Sequence, residues 1–363
     1  MDRRSFLRNS ALGGAAVAAS TTLAAPAIAQ GKRTLTMVTS WPHGFAVLDD
    51  AAVHFAETVT AMSDGELTID KKAPGELVGA LEVFDAVTSG QADMYHSADY
   101  YYLGQHPGFA YFTSVPFGAT AQELTNWYNH DGGKELHNEL GEIFGLKSFL
   151  AGNSGSQSGG WFRSEIKSAE DFNGLKFRMP GLGGKALGKL GASVQNIPGG
   201  ELYQALSSGA LDGLEWVGPW ADERAGFQEV AKVYYTAGFH EAGSGLALGV
   251  NRSVFEGLSV AHQTIIEQAT LATTNHNLSL TLANNGAALK RLEAQGVQTL
   301  QFSDDVWDAF GVASAEVMDE FMDDELFVRI RASFEASVAK SSAWISKSDG
   351  FYVAQRDRVL ANR

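Results

Sequence analysis

The chain has 363 residues, enough for two medium-sized lobes, and its 45% hydrophobic and 19% charged content is that of an ordinary folded protein. That balance excludes long disorder and a coiled-coil identity, and a formal net charge of −15 excludes a nucleic-acid partner, which needs clustered Lys and Arg. The absence of cysteine excludes disulfides, thiolate metal sites and cysteine nucleophiles.

Residues 1–29 read as a targeting segment. DRRSFLR (residues 2–8) carries paired arginines, an apolar stretch follows, and Ala27-Ile28-Ala29 is a small-x-small cleavage signal. This pattern resembles a twin-arginine export signal and implies a periplasmic destination. After it no run of 18 apolar residues occurs, so no membrane span is expected. Residues 34–42 predict a buried strand closed by Pro42. Residues 45–62 predict an amphipathic helix with Val47, Ala51, Phe55, Val59 and Met62 on one face. An alternating strand (66–72), a short helix (81–87) stopped by Gly90 and a strand leading into Asp99, Tyr100, Tyr101 and Tyr102 follow. Two β-α-β steps predict a parallel sheet. The tyrosines then lie beyond a strand end, and of three in a row one or two face inward.

Residues 121–144 predict one or two helices broken near Asp131-Gly132-Gly133, and residues 146–151 a strand. The stretch GNSGSQSGGWFR (152–163) is rich in Gly and Ser and is predicted as the first crossover between lobes. Glycine allows close backbone approach to a ligand, and the Gln157 amide oxygen suits a cation.

The stretch from Asn173 to Trp220 is the centre of the second lobe. A short extended run, 175–179, is punctuated by Pro180 and Gly181, and helical spacing resumes at Lys185. A Gly199-Gly200 turn, a short helix through Leu206, a stop at Gly209 and a short apolar strand follow. Arg178 ends the first strand; Glu215 and Trp216 end the last. Ligands of open α/β sheets sit beyond the carboxyl ends of strands, so one cation and one carboxylate are aimed at a crevice. GFHEAGSG (238–245) predicts a second crossover, with Glu241 near its start, and 246–251 a strand back in the first lobe. A long helical pattern covers 260–294, a strand 296–302, and mostly helix 304–347, too long for one compact helix. The apolar Phe334, Val338, Trp344, Ile345, Phe351, Tyr352 and Val353 exceed what an exposed tail needs.

Enzyme signals are weak. Gly181-Leu182-Gly183 with Ala186 fits a loose dinucleotide loop, but Glu201, twenty residues on, opens a helix rather than ending a strand. Gly184-Lys185 lacks the first glycine and the Ser or Thr of a phosphate loop. The nine histidines show no metal-ligand spacing, and no G-x-S-x-G elbow occurs.

Two motifs carry a family resemblance. GLKFRMP (174–180) matches a GLK-hydrophobic-R-hydrophobic-P pattern, and residues 201–215 match E-x-Y-x-A-L-x-x-G-x-x-D-G-x-E. Together they make the chain similar to the solute-binding proteins of TRAP transporters. GNSGSQSGGWFR, EWVGPW (215–220) and DYYYLG (99–104) look most like the dimeric branch that binds 2-oxo acids together with a metal cation. The resemblance implies an α/β fold of two lobes with mixed sheets, crossover strands and a long C-terminal helical extension. It implies lobe I from 30–152 and 244–283, lobe II from 153–243 and 284–330, both complete by about Ile330, and a dimerisation region at 331–363. Arg178 is the expected carboxylate clamp, since a guanidinium fork matches a carboxylate with two parallel hydrogen bonds. Gln157, Glu215, the Trp216 carbonyl and Glu241 are the expected ligands of a hard cation, sodium or calcium. Tyr100, Tyr101, Asn153, Gln157, Trp161 and Trp220 are expected around the substrate. The implied partners are a small carboxylate, the transporter's membrane subunits and a second copy of the chain. A periplasmic metal-dependent enzyme acting on an organic acid is the alternative from another class, and a hydroxy, aromatic or sugar acid the alternative ligand.

Overall fold

A computed structural model describes residues 32–361; the export-signal reading of residues 1–29 lies outside them. The first lobe is built from β1 (Arg33–Thr39), α1 (Leu48–Met62), β2 (Leu67–Lys72), α2 (Val83–Thr88), β3 (Met94–Ser97), α3 (Ala110–Thr113), α4 (Ala121–His130), α5 (Gly133–Ile143) and β4 (Leu146–Asn153). The second holds β5 (Gly160–Phe162), β6 (Lys176–Arg178), α6 (Gly181–Lys189), β7 (Ser193–Gln195), α7 (Leu202–Ser207), β8 (Gly213–Leu214), α8 (Pro219–Ala225) and β9 (Val233–Tyr235). The chain then returns through β10 (Gly245–Asn251) and α9 (Arg252–Glu256). It continues as α10 (Val260–Ala294), β11 (Gln298–Leu300), α11 (Asp304–Asp319), α12 (Glu325–Ile345) and α13 (Asp349–Leu360).

Both sheets are mixed. Lobe I orders its strands β2-β1-β3-β10-β4, with β1 parallel to β2 and β3. The first two β-α-β steps give parallel pairs as expected, and the sheet is mixed because β10 enters from the other lobe and runs antiparallel to β3 and β4. Lobe II orders its strands β11-β9-β5-β8-β6-β7. Here β5, arriving from lobe I, is antiparallel to β8 and β9. Its edge strand β7 was not foreseen from the sequence; one half-buried valine, Val194, between exposed Ser193 and Gln195 is too short a run to detect.

The two crossovers, 154–159 and 236–244, are laced to each other. Ser154 N–H donates to the Ser244 carbonyl (2.9 Å), Gln157 N–H to that of Glu241 (2.9 Å) and Gly238 N–H to that of Gln157 (3.3 Å). Behind this hinge, α10 packs on α1 and β4 of lobe I and on α8 of lobe II. It is one uninterrupted helix through residue 283, where the sequence reading divided the lobes. Its Asn277 accepts from Asn153 N–H (2.9 Å) and donates to the Val47 carbonyl (2.7 Å), while Asn285 accepts from Trp220 N–H (3.1 Å).

Two boundaries differ from expectation for visible reasons. Helix α1 begins at Leu48 rather than residue 45. Asp49 accepts from Gly44 N–H (2.8 Å) and Asp50 from Val47 N–H (2.9 Å), which holds the approach as a turn. Val47 there takes φ 73°, a conformation a β-branched residue rarely adopts. Helix α12 packs on lobe I, not on lobe II or on nothing. Phe327 and Phe334 close on Tyr111, Phe334 also on Trp127, and Ile330 is fully buried. Ser337 and Lys340 donate to Asp131. Residues 325–330 thus belong with lobe I, and that lobe is complete only near Val338.

Candidate functional site

Parallel pairing of β6 with β8 sets Arg178 opposite Leu214, so the carboxyl ends of the two strands present Arg178 and Glu215 side by side. Both are shut from solvent, Arg178 at 1% and Glu215 at 0% exposure. Nη1 of Arg178 donates to Glu215 Oε1 in a short ion pair and to the Glu215 carbonyl (3.2 Å). Nε donates to the Ile197 carbonyl (3.1 Å), and Nη2 reaches the Tyr101 hydroxyl of lobe I (3.4 Å). The guanidinium also lies 5.3 Å from the Trp216 ring centre. Burial is the largest single influence and works against its charge, but the Glu215 carboxylate together with Tyr101, Tyr100 and Glu241 outweighs it and holds the Arg178 pKa above its ordinary value. The fork expected to stand free for a ligand is therefore engaged by Glu215. Four of its five N–H groups are used, one by each bond above.

Beside this pair sits a cluster of buried polar groups. Ligand atoms of Glu215, His240 and Glu241 lie within 4.8 Å of one another. Ser244 donates a short hydrogen bond to Glu241, whose carboxyl is pushed up to about 7 by burial and by the neighbouring charge of Glu215. Oε2 of Glu215, Oε1 of Gln157 and both ring nitrogens of His240 have no hydrogen-bond partner among the described residues, although all are buried. Gln157 Nε2 is fixed by Ser154 (2.9 Å), so its oxygen is the free end. Unsatisfied buried acceptors around two carboxylates are the chemistry a hard cation satisfies.

The other sequence-predicted residues divide. Tyr100 and Tyr101 sit in the turn after β3 with rings edge to face at 4.8 Å, and Tyr101 reaches Arg178. Tyr102 turns into the core against Phe84. Asn153 ends β4, its Oδ1 accepting from Gly155 N–H (2.8 Å) and its Nδ2 without a hydrogen-bond partner among the described residues. Trp161 is placed in the lobe II core rather than on a pocket wall. It is tilted on Tyr234 at 4.5 Å, and its indole N–H donates to Asp222 (2.9 Å). Trp220 is half-buried in the first turn of α8, tied by its N–H to α10. Trp216 lies over Gly199, where a Cβ would come within 2.1 Å of the indole, so the residue beneath the ring must be glycine.

Two clefts border the cluster without including it. One of about 410 Å³ is lined by Phe45, Ala46, Trp216 and Arg224; the other, about 320 Å³, by Tyr100, Tyr101, Gly181 and Lys185. Each shares with the site one residue that touches Arg178: Trp216 in the first, Tyr101 in the second. We place the candidate site on the closed charged cluster itself, because buried polar atoms without hydrogen-bond partners have a stronger claim on a ligand than open volume does.

Sequence reasoning missed His240 and Asp222. Asp222 is fully buried and accepts from Val217 N–H (3.1 Å), Gly218 N–H (3.0 Å), Trp161 (2.9 Å) and Ser158 (3.5 Å), fastening the loop after Glu215 to the first crossover. Burial prevails over these donors and pushes its carboxyl up to about 7. A folded-state pKa above the unfolded value of 3.8 means the folded chain keeps a proton that the unfolded chain releases. The contribution of Asp222 to stability is thus complete below about pH 4 and lost as pH rises through about 7. Asp222→Asn is expected to flatten that part of the stability curve. Thermal melts of both proteins across pH 4–8 check this, and equal slopes would remove Asp222 from the account.

Comparison with known proteins gives the chain its family. The model of the family "Bacterial extracellular solute-binding protein, family 7" matches residues 37–325. A monocarboxylate 2-oxoacid-binding periplasmic protein of Nostoc sp. is 38% identical over 309 residues, 85% of each chain. A TRAP periplasmic solute-binding protein from Pseudoalteromonas atlantica, solved with bound sodium and pyruvate, superposes with a TM-score of 0.86 at 38% identity, covering 89% of this chain and 99% of that one. One from Bordetella bronchiseptica, a mixed-occupancy dimer with copurified calcium and picolinate, gives a TM-score of 0.89 at 31% identity, covering 92% and 99%.

Proposed function

The chain belongs to bacterial extracellular solute-binding protein family 7, and we propose that it is the receptor that captures a small 2-oxo monocarboxylate, such as pyruvate, with a metal cation and hands it to a TRAP permease. The family is one of extracytoplasmic binding proteins, so the periplasmic enzyme alternative is set aside. Among the described residues no helix is long and apolar enough to cross a membrane. Export of the chain by the twin-arginine route and its assembly as a homodimer, as in the Bordetella relative, are parts of the same proposal.

The observation that carries the reading is the closed ion pair of Arg178 with Glu215 next to unsatisfied buried oxygens. A cation held by Glu215, Glu241, the Gln157 amide oxygen and the Trp216 carbonyl would draw Glu215 away from Arg178. The freed fork then meets the substrate carboxylate, and the 2-oxo and carboxylate oxygens complete the cation's shell. One partner exchange thereby neutralises two carboxylates and one guanidinium at once. Tyr101 adds a hydroxyl from lobe I, so binding also joins the lobes. The bound acid needs an oxygen beside its carboxylate, which a 2-oxo group supplies.

Removing the cation tests this. Protein stripped by chelation and exchanged into metal-free buffer should bind pyruvate at least about tenfold more weakly, a change of about 1.4 kcal/mol. Calorimetry with sodium or calcium restored should recover the affinity. Affinity independent of every cation would leave Glu215 as a structural partner of Arg178 alone.

A further inference from the structure

We propose that His240 is itself a ligand of the hinge cation, so that this site takes a borderline divalent transition ion, from manganese(II) to zinc(II), as well as the hard cations its oxygens suit. The inference rests on the cation reading above and extends it to the identity of the ion.

Histidine is an unexpected neighbour for a purely oxygen site. The His240 side chain is 2% exposed, and neither of its ring nitrogens has a hydrogen-bond partner among the described residues. Buried imidazoles are otherwise fixed by a donor or an acceptor, as His137 is by Asp99 (2.7 Å) and Tyr128 (3.2 Å) in this same chain. Nε2 of His240 faces Oε2 of Glu215 at 3.4 Å, but the two are not aligned for a hydrogen bond, and both remain unsatisfied. Two buried polar atoms this close that make no hydrogen bond to each other suit ligands of one ion. The spread of the three groups agrees: their ligand atoms lie within 4.8 Å of one another. That limit lets all three reach a single cation at metal–ligand distances of roughly 2.0–2.6 Å.

The ring is also held in place. Nδ1 lies against Gly238, where a Cβ would stand 2.7 Å from it, and the imidazole Cβ lies against Gly183 at 2.5 Å from the position of a Cβ there. The His240 carbonyl accepts from Ser114 (3.0 Å), and Phe239 packs edge to face on the ring at 5.6 Å. Ser244 orients the Glu241 carboxylate through its own hydrogen bond, as an outer partner of a metal ligand does. One imidazole nitrogen with two carboxylates and an amide oxygen is a donor set on which affinity climbs from manganese(II) toward zinc(II). No thiolate is present anywhere in the chain to favour a softer ion.

The test uses the full chain, stripped of metal, titrated with zinc(II) and with calcium by calorimetry, and with cobalt(II) by visible absorption. His240→Gln and His240→Asn are made in parallel and checked for cooperative thermal unfolding. Zinc(II) should bind the wild type roughly 100-fold more tightly than calcium and compete with it for one site. Both variants should lose roughly 10–100-fold in zinc(II) affinity and less than about threefold in calcium affinity. The cobalt(II) spectrum should change in both. Zinc(II) affinity and a cobalt(II) spectrum unaltered by both substitutions, with calcium still bound, would overturn the role of His240 alone. Failure of the wild type to bind any cation would overturn this inference and the cation reading together.

Discussion

Arg178→Lys is expected to weaken pyruvate binding by about 2–5 kcal/mol, the scale of losing one partner of a buried, hydrogen-bonded charge pair. The guanidinium serves four acceptors in three directions: the Ile197 carbonyl, the carbonyl and carboxylate of Glu215, and the Tyr101 hydroxyl. An ammonium has three donors radiating from one point and cannot span that set, nor present two parallel N–H groups to a carboxylate. Lysine does keep a positive charge near Glu215, so the fold should survive with a modest loss of melting temperature. Arg178→Ala is a different experiment. It leaves Glu215 buried and uncompensated, and a loss of about 3–5 kcal/mol in stability is expected on top of the lost binding. A double variant, Arg178→Met with Glu215→Gln, removes both charges; it should regain stability over Arg178→Ala while still failing to bind. Calorimetry with pyruvate and thermal melts on the three proteins separate the two roles. Unchanged affinity in the lysine variant would show that Arg178 only closes the ion pair.

That ion pair marks how far the sequence could be read. Arg178 and Glu215 were legible as strand-end residues because Pro180, Gly181 and the glycines at 199, 200 and 209 punctuate short extended runs. That they meet each other was not legible: 37 residues apart, their contact depends on β6 lying parallel beside β8, which no local pattern specifies. The crossovers announced themselves through composition, since glycine and serine are dense in the stretches laced together at residues 154–157 and 238–244. His240 was hidden beside the more conspicuous Glu241, because its type and spacing match no ligand motif and only its burial without a partner distinguishes it. Asp222 was hidden for the opposite reason: an acid in the first turn of a helix reads as an ordinary N-terminal residue. Trp161 shows the limit of reading an aromatic near a motif as a pocket wall; its ring is buried in the lobe II core and its indole N–H is held by Asp222. Helix α12 carried an apolar stripe at Phe327, Ile330 and Phe334. A stripe of that kind calls for a partner without saying which, and the partner is lobe I.

Truncation after Ser342 is expected to convert the protein from a dimer to a monomer while leaving pyruvate affinity within about threefold. Up to Val338 the C-terminal segment is satisfied by its own chain, so a cut at Ile330 would remove Phe334 from the lobe I core. Beyond Ser342 the situation reverses. Trp344 is 71% exposed, Phe351 61% and Tyr352 65%, with Val353, Val359 and Leu360 also open. Helix α13 buries none of its twelve residues. A helix of that length has marginal stability in water without packing, and six large apolar side chains on one short segment make a patch that soluble monomers avoid. A second copy of the chain answers both needs through a two-fold-symmetric contact, each tail covering a face of the other subunit. No residue proposed for the cation or the acid lies beyond Glu241, which is why binding should persist in the shortened chain. Light scattering at micromolar concentration decides the matter. A full-length protein that runs as a monomer, or a truncated one that still runs as a dimer, would place the function of this tail elsewhere.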